Sequence, residues 1–217
     1  MVGRLLVKFG IVAVACVLLC LIRSSPAETD TEYWSKYAIS VPMTGQIDLL
    51  AKPEFRFEDT MSRFYYWKVY VGPNIHASTA LDIAAYYTPK AKRKGDQWQH
   101  ENLGDLDGTL KWRIFNLELG DRNRLEYSFD EKELTYRNRL KVGRPAIISG
   151  NTVTFFVADE IFYHLDSGTL NENRGFVGIS AKIAGVVRGE LSVMHRTKEQ
   201  NGWRDTIVVT TTLGYNF

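Results

Sequence analysis

From residue 28 onward the chain alternates apolar and polar positions with a period of two. In the last segment Ile207, Val209, Thr211, Leu213, Tyr215 and Phe217 share one face, while Thr206, Val208, Thr210, Thr212, Gly214 and Asn216 share the other. The same alternation sets Ile47, Leu49, Ala51, Phe55 and Phe57 against Asp48, Lys52, Glu54, Arg56 and Glu58. Successive side chains of a strand point to opposite faces, so each such segment predicts a β-strand with one apolar face. Eleven segments carry the pattern, near 33–41, 45–58, 63–74, 79–88, 97–111, 115–129, 134–143, 151–163, 172–183, 186–196 and 204–217. Most exceed the five or six residues common in soluble domains and suit a tilted strand that crosses a bilayer.

The first residues follow another rule. Arg4 and Lys8 precede an uncharged run from Phe9 to Ile22, and small residues Ser25 and Ala27 follow. A basic start, an apolar stretch and small residues before a cut predict a secretory signal peptide over 1–27, leaving a single domain over 28–217. As a helix the run would reach roughly 21 Å, short of a hydrocarbon core of about 30 Å, which argues against a retained anchor. Cys16 and Cys20 both lie inside it, so the exported chain has no cysteine for a disulfide, a nucleophile or a metal.

Charge then narrows the partners. The 27 Lys+Arg and 25 Asp+Glu give a net charge of +2, and removal of the leader with Arg4, Lys8 and Arg23 leaves a near-neutral chain. That balance excludes a nucleic-acid binder held by bulk positive charge. No later stretch is apolar enough for a membrane helix.

Alternation alone fits either a soluble sandwich or a membrane barrel, and three features favour the barrel. Many polar-face residues are full charges in ladders such as Glu54/Arg56/Glu58 and Arg137/Arg139/Lys141, which would have to line an interior. Aromatic residues cluster near strand ends (Tyr33, Trp34, Tyr37; Tyr65, Tyr66, Trp67; Tyr86, Tyr87), as interfacial girdles do. The chain closes on Tyr215 and Phe217, a terminal pattern that resembles the signal read by the barrel-assembly machinery. The expected fold is therefore all-β, a single antiparallel up-and-down transmembrane barrel. Single-chain bacterial barrels have an even strand number, so the expectation is 12 strands, with 10 as the fallback. Turns after odd strands are expected to be short and several loops after even strands longer, including Pro89 to Asp96.

The stretch from Gly120 to Gly178 resembles the domain of unknown function 2490 family of outer-membrane proteins. The likeness rests on Asp121-Arg122-Asn123-Arg124-Leu125-Glu126-Tyr127, Tyr136-Arg137-Asn138-Arg139-Leu140, Glu160-Ile161-Phe162 and Asn173-Arg174. Trp34, Glu54-Phe55-Arg56 and His100-Glu101 extend it over most of the exported chain, and it departs at Ser128, where the pattern more often has Arg. The resemblance implies a monomeric barrel in the outer membrane of a Gram-negative bacterium and supplies no activity.

Candidate chemistry is sparse. None of His76, His100, His164 and His195 has metal-ligand spacing, so no metal or other cofactor is expected. His195 lies near Ser192 and Glu190, but Ser192 and His195 should face opposite ways, which weakens an acyl-transfer site. Asp159 and Glu160 likewise cannot converge on a substrate, and Glu160 reads as counter-charge for arginines. The basic run Lys90 to Lys94 reads as a solvated loop, or one that meets lipopolysaccharide phosphates. The strongest expectation is a lumen network of Arg122, Arg124, Glu126, Arg137, Arg139, Glu160 and Arg174, of mixed sign on one face. It predicts a non-enzymatic structural barrel or a narrow channel for small hydrophilic solutes, in contact with outer-membrane lipid and lipopolysaccharide. The alternatives are a lipid- or lipopolysaccharide-modifying barrel enzyme and a soluble periplasmic β-sandwich.

Overall fold

The computed structural model describes residues 31–199 and 202–216. The signal-peptide expectation for 1–27 and the terminal Phe217 lie outside the described residues. Eleven strands follow one another: β1 (Thr31–Pro42), β2 (Ile47–Glu58), β3 (Arg63–His76), β4 (Leu81–Lys94), β5 (Gln97–Ile114), β6 (Leu117–Ser128), β7 (Leu134–Ile148), β8 (Asn151–His164), β9 (Thr169–Ala184), β10 (Val187–Glu199) and β11 (Trp203–Asn216). Neighbours in sequence pair antiparallel, and the sheet closes on itself through β1 and β11. A closed single sheet replaces the two-sheet sandwich held as an alternative.

The strand number corrects the expectation of 12. Each predicted segment forms one strand, and closure does not need an even count because β1 and β11 pair parallel, from Thr31↔Ile207 to Ser40↔Asn216. The parity rule assumes that the last pair is antiparallel like the rest. With one parallel pair, the described chain enters the barrel at one end and leaves it at the other.

The connections also differ from expectation. None between consecutive strands exceeds five residues. Strand β4 runs through Lys94, so the basic run lies in the ladder, with Lys94 paired to Gln97 across the two-residue Gly95-Asp96 turn. Gly95, at φ 61°, takes the left-handed conformation that such a tight turn requires. Lys90 and Lys92 then line the interior. Lysine is a poor strand former in isolation, and tertiary pairing overrides that preference here.

Alternation sorts the side chains into two populations. Large apolar residues such as Leu106, Leu110, Leu140, Val157, Ile179 and Leu191 stand exposed on the outer face, while Arg124, Arg137, Glu160, Glu172 and Arg174 are buried within. The interior also has apolar packing, with Trp34, Phe156, Ala158, Phe176, Met194 and Val208 in one cluster and Leu50, Tyr70, Ala84 and Tyr86 in another. The expectation of a girdle is corrected for several aromatics: Tyr33 packs outside on Phe57, but Trp34, Tyr65 and Tyr86 are buried inside. In a regular strand, adjacent residues in a run of aromatics face opposite ways.

Three register shifts break the strict alternation, one beside the β9–β10 turn at Val187/Arg188 and two at the end where β1 begins. Between Arg56/Phe57 and the facing Tyr66 and Phe64, Tyr65 is the extra residue, and both tyrosines line the interior. Between Phe162/Tyr163 and the facing Glu172 and Leu170, Asn171 is extra, and it joins Glu172 in the interior. A bulge places two consecutive residues against one partner, so the latter two shifts load more polar groups onto one end of the barrel.

Candidate functional site

The lumen is divided. At the end where β1 begins, a cavity of about 1490 Å³ opens between the strand tips, and at the opposite end a smaller one of about 440 Å³ does the same. Lys68, Arg137 and Arg174 contribute to both walls, which places them in the partition between.

Trp34 is the centre of one side of this partition and is fully buried. Its Nε1 donates to Glu32 at 2.7 Å, and Tyr65 donates to the same carboxylate at 2.7 Å. The Arg56 guanidinium stacks 3.6 Å from the indole centroid, and that of Arg174 lies 4.9 Å away. Glu54 holds Arg56 at 2.6 Å and Lys68 at 3.7 Å. An indole face attracts guanidinium groups, and the carboxylates beside it fix their orientation.

Glu160 is the centre of the other side. Projecting from the middle of β8, it meets Arg122 at 2.5 Å, Arg137 at 3.0 Å and Arg174 at 3.7 Å. Arg137 also donates to Glu126 at 2.9 Å, and Arg174 donates to Glu172 at 2.6 Å. Arg124 grips Asp107 through Nε and Nη2, with Asp105 at 3.4 Å. Arg139 pairs across the ladder with Glu160 in register, yet its guanidinium rests on the Phe176 ring, 4.4 Å from the centroid. The structure thus brings Arg122, Arg137, Arg174 and Glu160 into direct contact, joins Glu126 through Arg137, and leaves Arg124 and Arg139 beside them with other supports.

Several participants have weaker sequence signals. Glu32, Asp105, Asp107, Glu172 and Arg196 complete the network, with Arg196 reaching Glu172 at 2.7 Å and Glu32 at 3.4 Å. Each sits at an inward parity position, and the alternate charges Asp105/Asp107, Glu172/Arg174 and Arg196/Lys198 are the signal that could have found most of them. The outer face holds an unforeseen polar group. Asn138 donates to Asp121 at 2.6 Å and to Asn123 at 3.0 Å, and Tyr136 donates to Asn123 at 2.5 Å. These are the intervening residues of the two basic ladders, and they satisfy one another on the outer face.

The other candidates are separate. Ser192 faces inward and shares a 2.7 Å hydrogen bond with Thr210, whereas His195 faces outward, 3.5 Å from Asp205. Glu160 and Asp159 point to opposite faces, Asp159 accepting from Asn173 outside at 3.0 Å. Among the described residues no three His, Cys, Asp or Glu side chains are grouped for a metal ion. His76, the last residue of β3, bridges Asp82 at 2.8 Å and Asp48 at 3.1 Å at the barrel end that holds the smaller cavity. Those hydrogen bonds, Asp82 first and Asp48 second, raise its pKa above the usual histidine value. Tyr215, half-exposed, lies at the end of β11.

These features define a closed up-and-down β-barrel whose lumen is partitioned by aromatic-backed ion pairs. A family model described as a protein of unknown function (DUF2490) matches residues 31–206, and the chain belongs to that family. The curated proteins contain no match to it.

Proposed function

We propose that this protein is an outer-membrane barrel without enzymatic activity, monomeric and embedded in lipid and lipopolysaccharide after insertion by the barrel-assembly machinery. Its lumen is closed at rest by the partition, so that it acts as a structural barrel or a narrow passage for small hydrophilic solutes. The observation that carries the reading is the inside-out distribution of side chains. Full charges such as Arg124 and Glu160 are buried in the lumen, and Leu106, Leu140, Val157 and Leu191 are exposed outside. In water this exterior would be a large apolar patch; against hydrocarbon it is the favoured arrangement. Strands of 12 to 18 residues support it, since tilted strands of about 9–11 residues already span a bilayer.

Two measurements test the proposal. A folded barrel embedded in detergent should migrate differently on a gel before and after boiling; identical migration would overturn the membrane reading. In planar bilayers the wild-type protein should give rare, small conductance steps, and Trp34→Ala should give larger ones by joining the two cavities. Large steps from the wild type, or no change in the variant, would remove the partition as the closing element.

A further inference from the structure

The smaller cavity carries positive charge that the fold leaves uncompensated. It is lined by ten Lys and Arg side chains and three carboxylates, whereas the larger cavity has nine Lys and Arg against ten Asp and Glu. The three carboxylates are committed: Glu54 to Arg56 and Lys68, Glu160 to Arg122, Arg137 and Arg174, and Glu190 to Lys141 at 2.6 Å. Nearby acids are engaged too, Asp107 by Arg124, and Asp82 by His76 and Lys111.

Lys36, Lys52 and Arg139 remain without an ion pair among the described residues, and each rests on an aromatic face instead. Lys36 Nζ lies 5.2 Å from the Trp34 centroid, and Lys52 Nζ lies 4.7 Å from that of Tyr86 while donating to its hydroxyl at 2.7 Å. Arg139 lies over Phe176, and its Nε has no acceptor. A π-face attracts a cation but does not neutralise it, so the charge stays available to a ligand. The strands that carry these groups stand on opposing walls, β1 and β2 across from β6 and β7. Cations that converge from two sides around one small space repel each other until an anion enters between them.

We propose that the smaller cavity is a binding site for a phosphate-class anion, held between Lys36 and Lys52 on one wall and Arg139 on the other, with Arg122 and Lys141 at its sides. A single carboxylate would offset one charge, whereas a phosphate group offers about two charges and three acceptor oxygens, which suit a guanidinium fork opposed by ammonium groups. Because the strand ladder is closed, the anion enters through the mouth. The site depends on the barrel and its partition and is independent of conduction and of the membrane reading.

Calorimetric titration of the folded, detergent-solubilised protein tests this, with orthophosphate, pyrophosphate and a water-soluble short-chain phosphatidic acid as probes. At least one probe should bind saturably. Lys52→Gln and the double variant Lys36→Gln/Arg139→Gln should each weaken it by about tenfold or more, and Lys92→Gln in the larger cavity should change it by less than about twofold. Binding of the inorganic anions assigns a soluble ligand, and binding of the lipid alone assigns a headgroup; both support the site. Saturable binding of none of the three, unchanged binding in the variants, or an equal loss in Lys92→Gln would overturn it. If the double variant does not fold, Lys52→Gln alone decides.

Discussion

At the larger mouth nine basic side chains face ten acidic ones, and at the smaller mouth ten face three, although the same eleven strands build both. Arg196 and Arg139 illustrate the two solutions. Arg196 lies between Glu172 and Glu32 and is matched by carboxylates, while Arg139 lies on Phe176 and is supported by an aromatic ring. Matching by carboxylates ties a buried charge into the structure, so its removal leaves buried carboxylates with fewer partners: without Arg196, Glu32 loses its ion pair and Glu172 falls back on Arg174 and Lys198. Support by a ring removes less when it is lost and preserves the charge for other uses. The first arrangement stabilises the barrel, and the second keeps a cation-rich space inside it.

Substitutions at the partition between the mouths should have the largest effects. Glu160→Gln leaves three arginines without their common carboxylate and should lower the unfolding free energy by about 3–5 kcal/mol, measured by denaturant titration. A loss below about 1 kcal/mol would mean that the network is not a stabilising hub. Next comes the direct contrast between the mouths. Arg196→Gln should cost about 2–3 kcal/mol, because Glu32 would stay buried without its ion pair while Glu172 keeps Arg174. Arg139→Gln should be close to neutral or slightly stabilising, within about 1 kcal/mol, since it abandons no carboxylate and relieves repulsion. Equal losses in the two variants would erase the distinction.

The smallest effect is expected at the rim. His76 between Asp82 and Asp48 has its pKa raised above the ordinary 6.5, so its contribution is fully present below pH 6.5 and is lost as pH rises through the raised value. The ring is substantially exposed, which limits the effect to less than about 1 kcal/mol. Denaturation midpoints of the wild type should fall slightly from pH 6 to pH 8, and His76→Gln should be flat over that range. A wild-type midpoint that rises with pH would contradict the ion-pair geometry.

Much of this was legible from alternation. Period two located every strand, and it predicted that Ser192 and His195 diverge and that Asp159 and Glu160 cannot meet. The aromatic pair and the basic run obey the same parity. Grouping Trp34 with Tyr33 as a girdle ignored their opposite parity, and reading Lys90 to Lys94 as a loop followed its charge rather than its continuity with the preceding strand. The even strand count came from a general habit of barrels, and the parallel pairing of β1 with β11 leaves no trace in either strand's own pattern.

The sequence by itself determined that the chain is all-β, where its strands run and which faces are charged, because side-chain direction in a strand is a local property. Only the tertiary structure decided how those faces meet. Closure through a parallel pair sets the strand number. Two bulges turn Tyr65 and Asn171 inward, and contacts across the lumen assign Glu160 three arginines and Arg139 none of its own. Those outcomes depend on register and on distances between strands far apart in the chain, which local alternation does not encode.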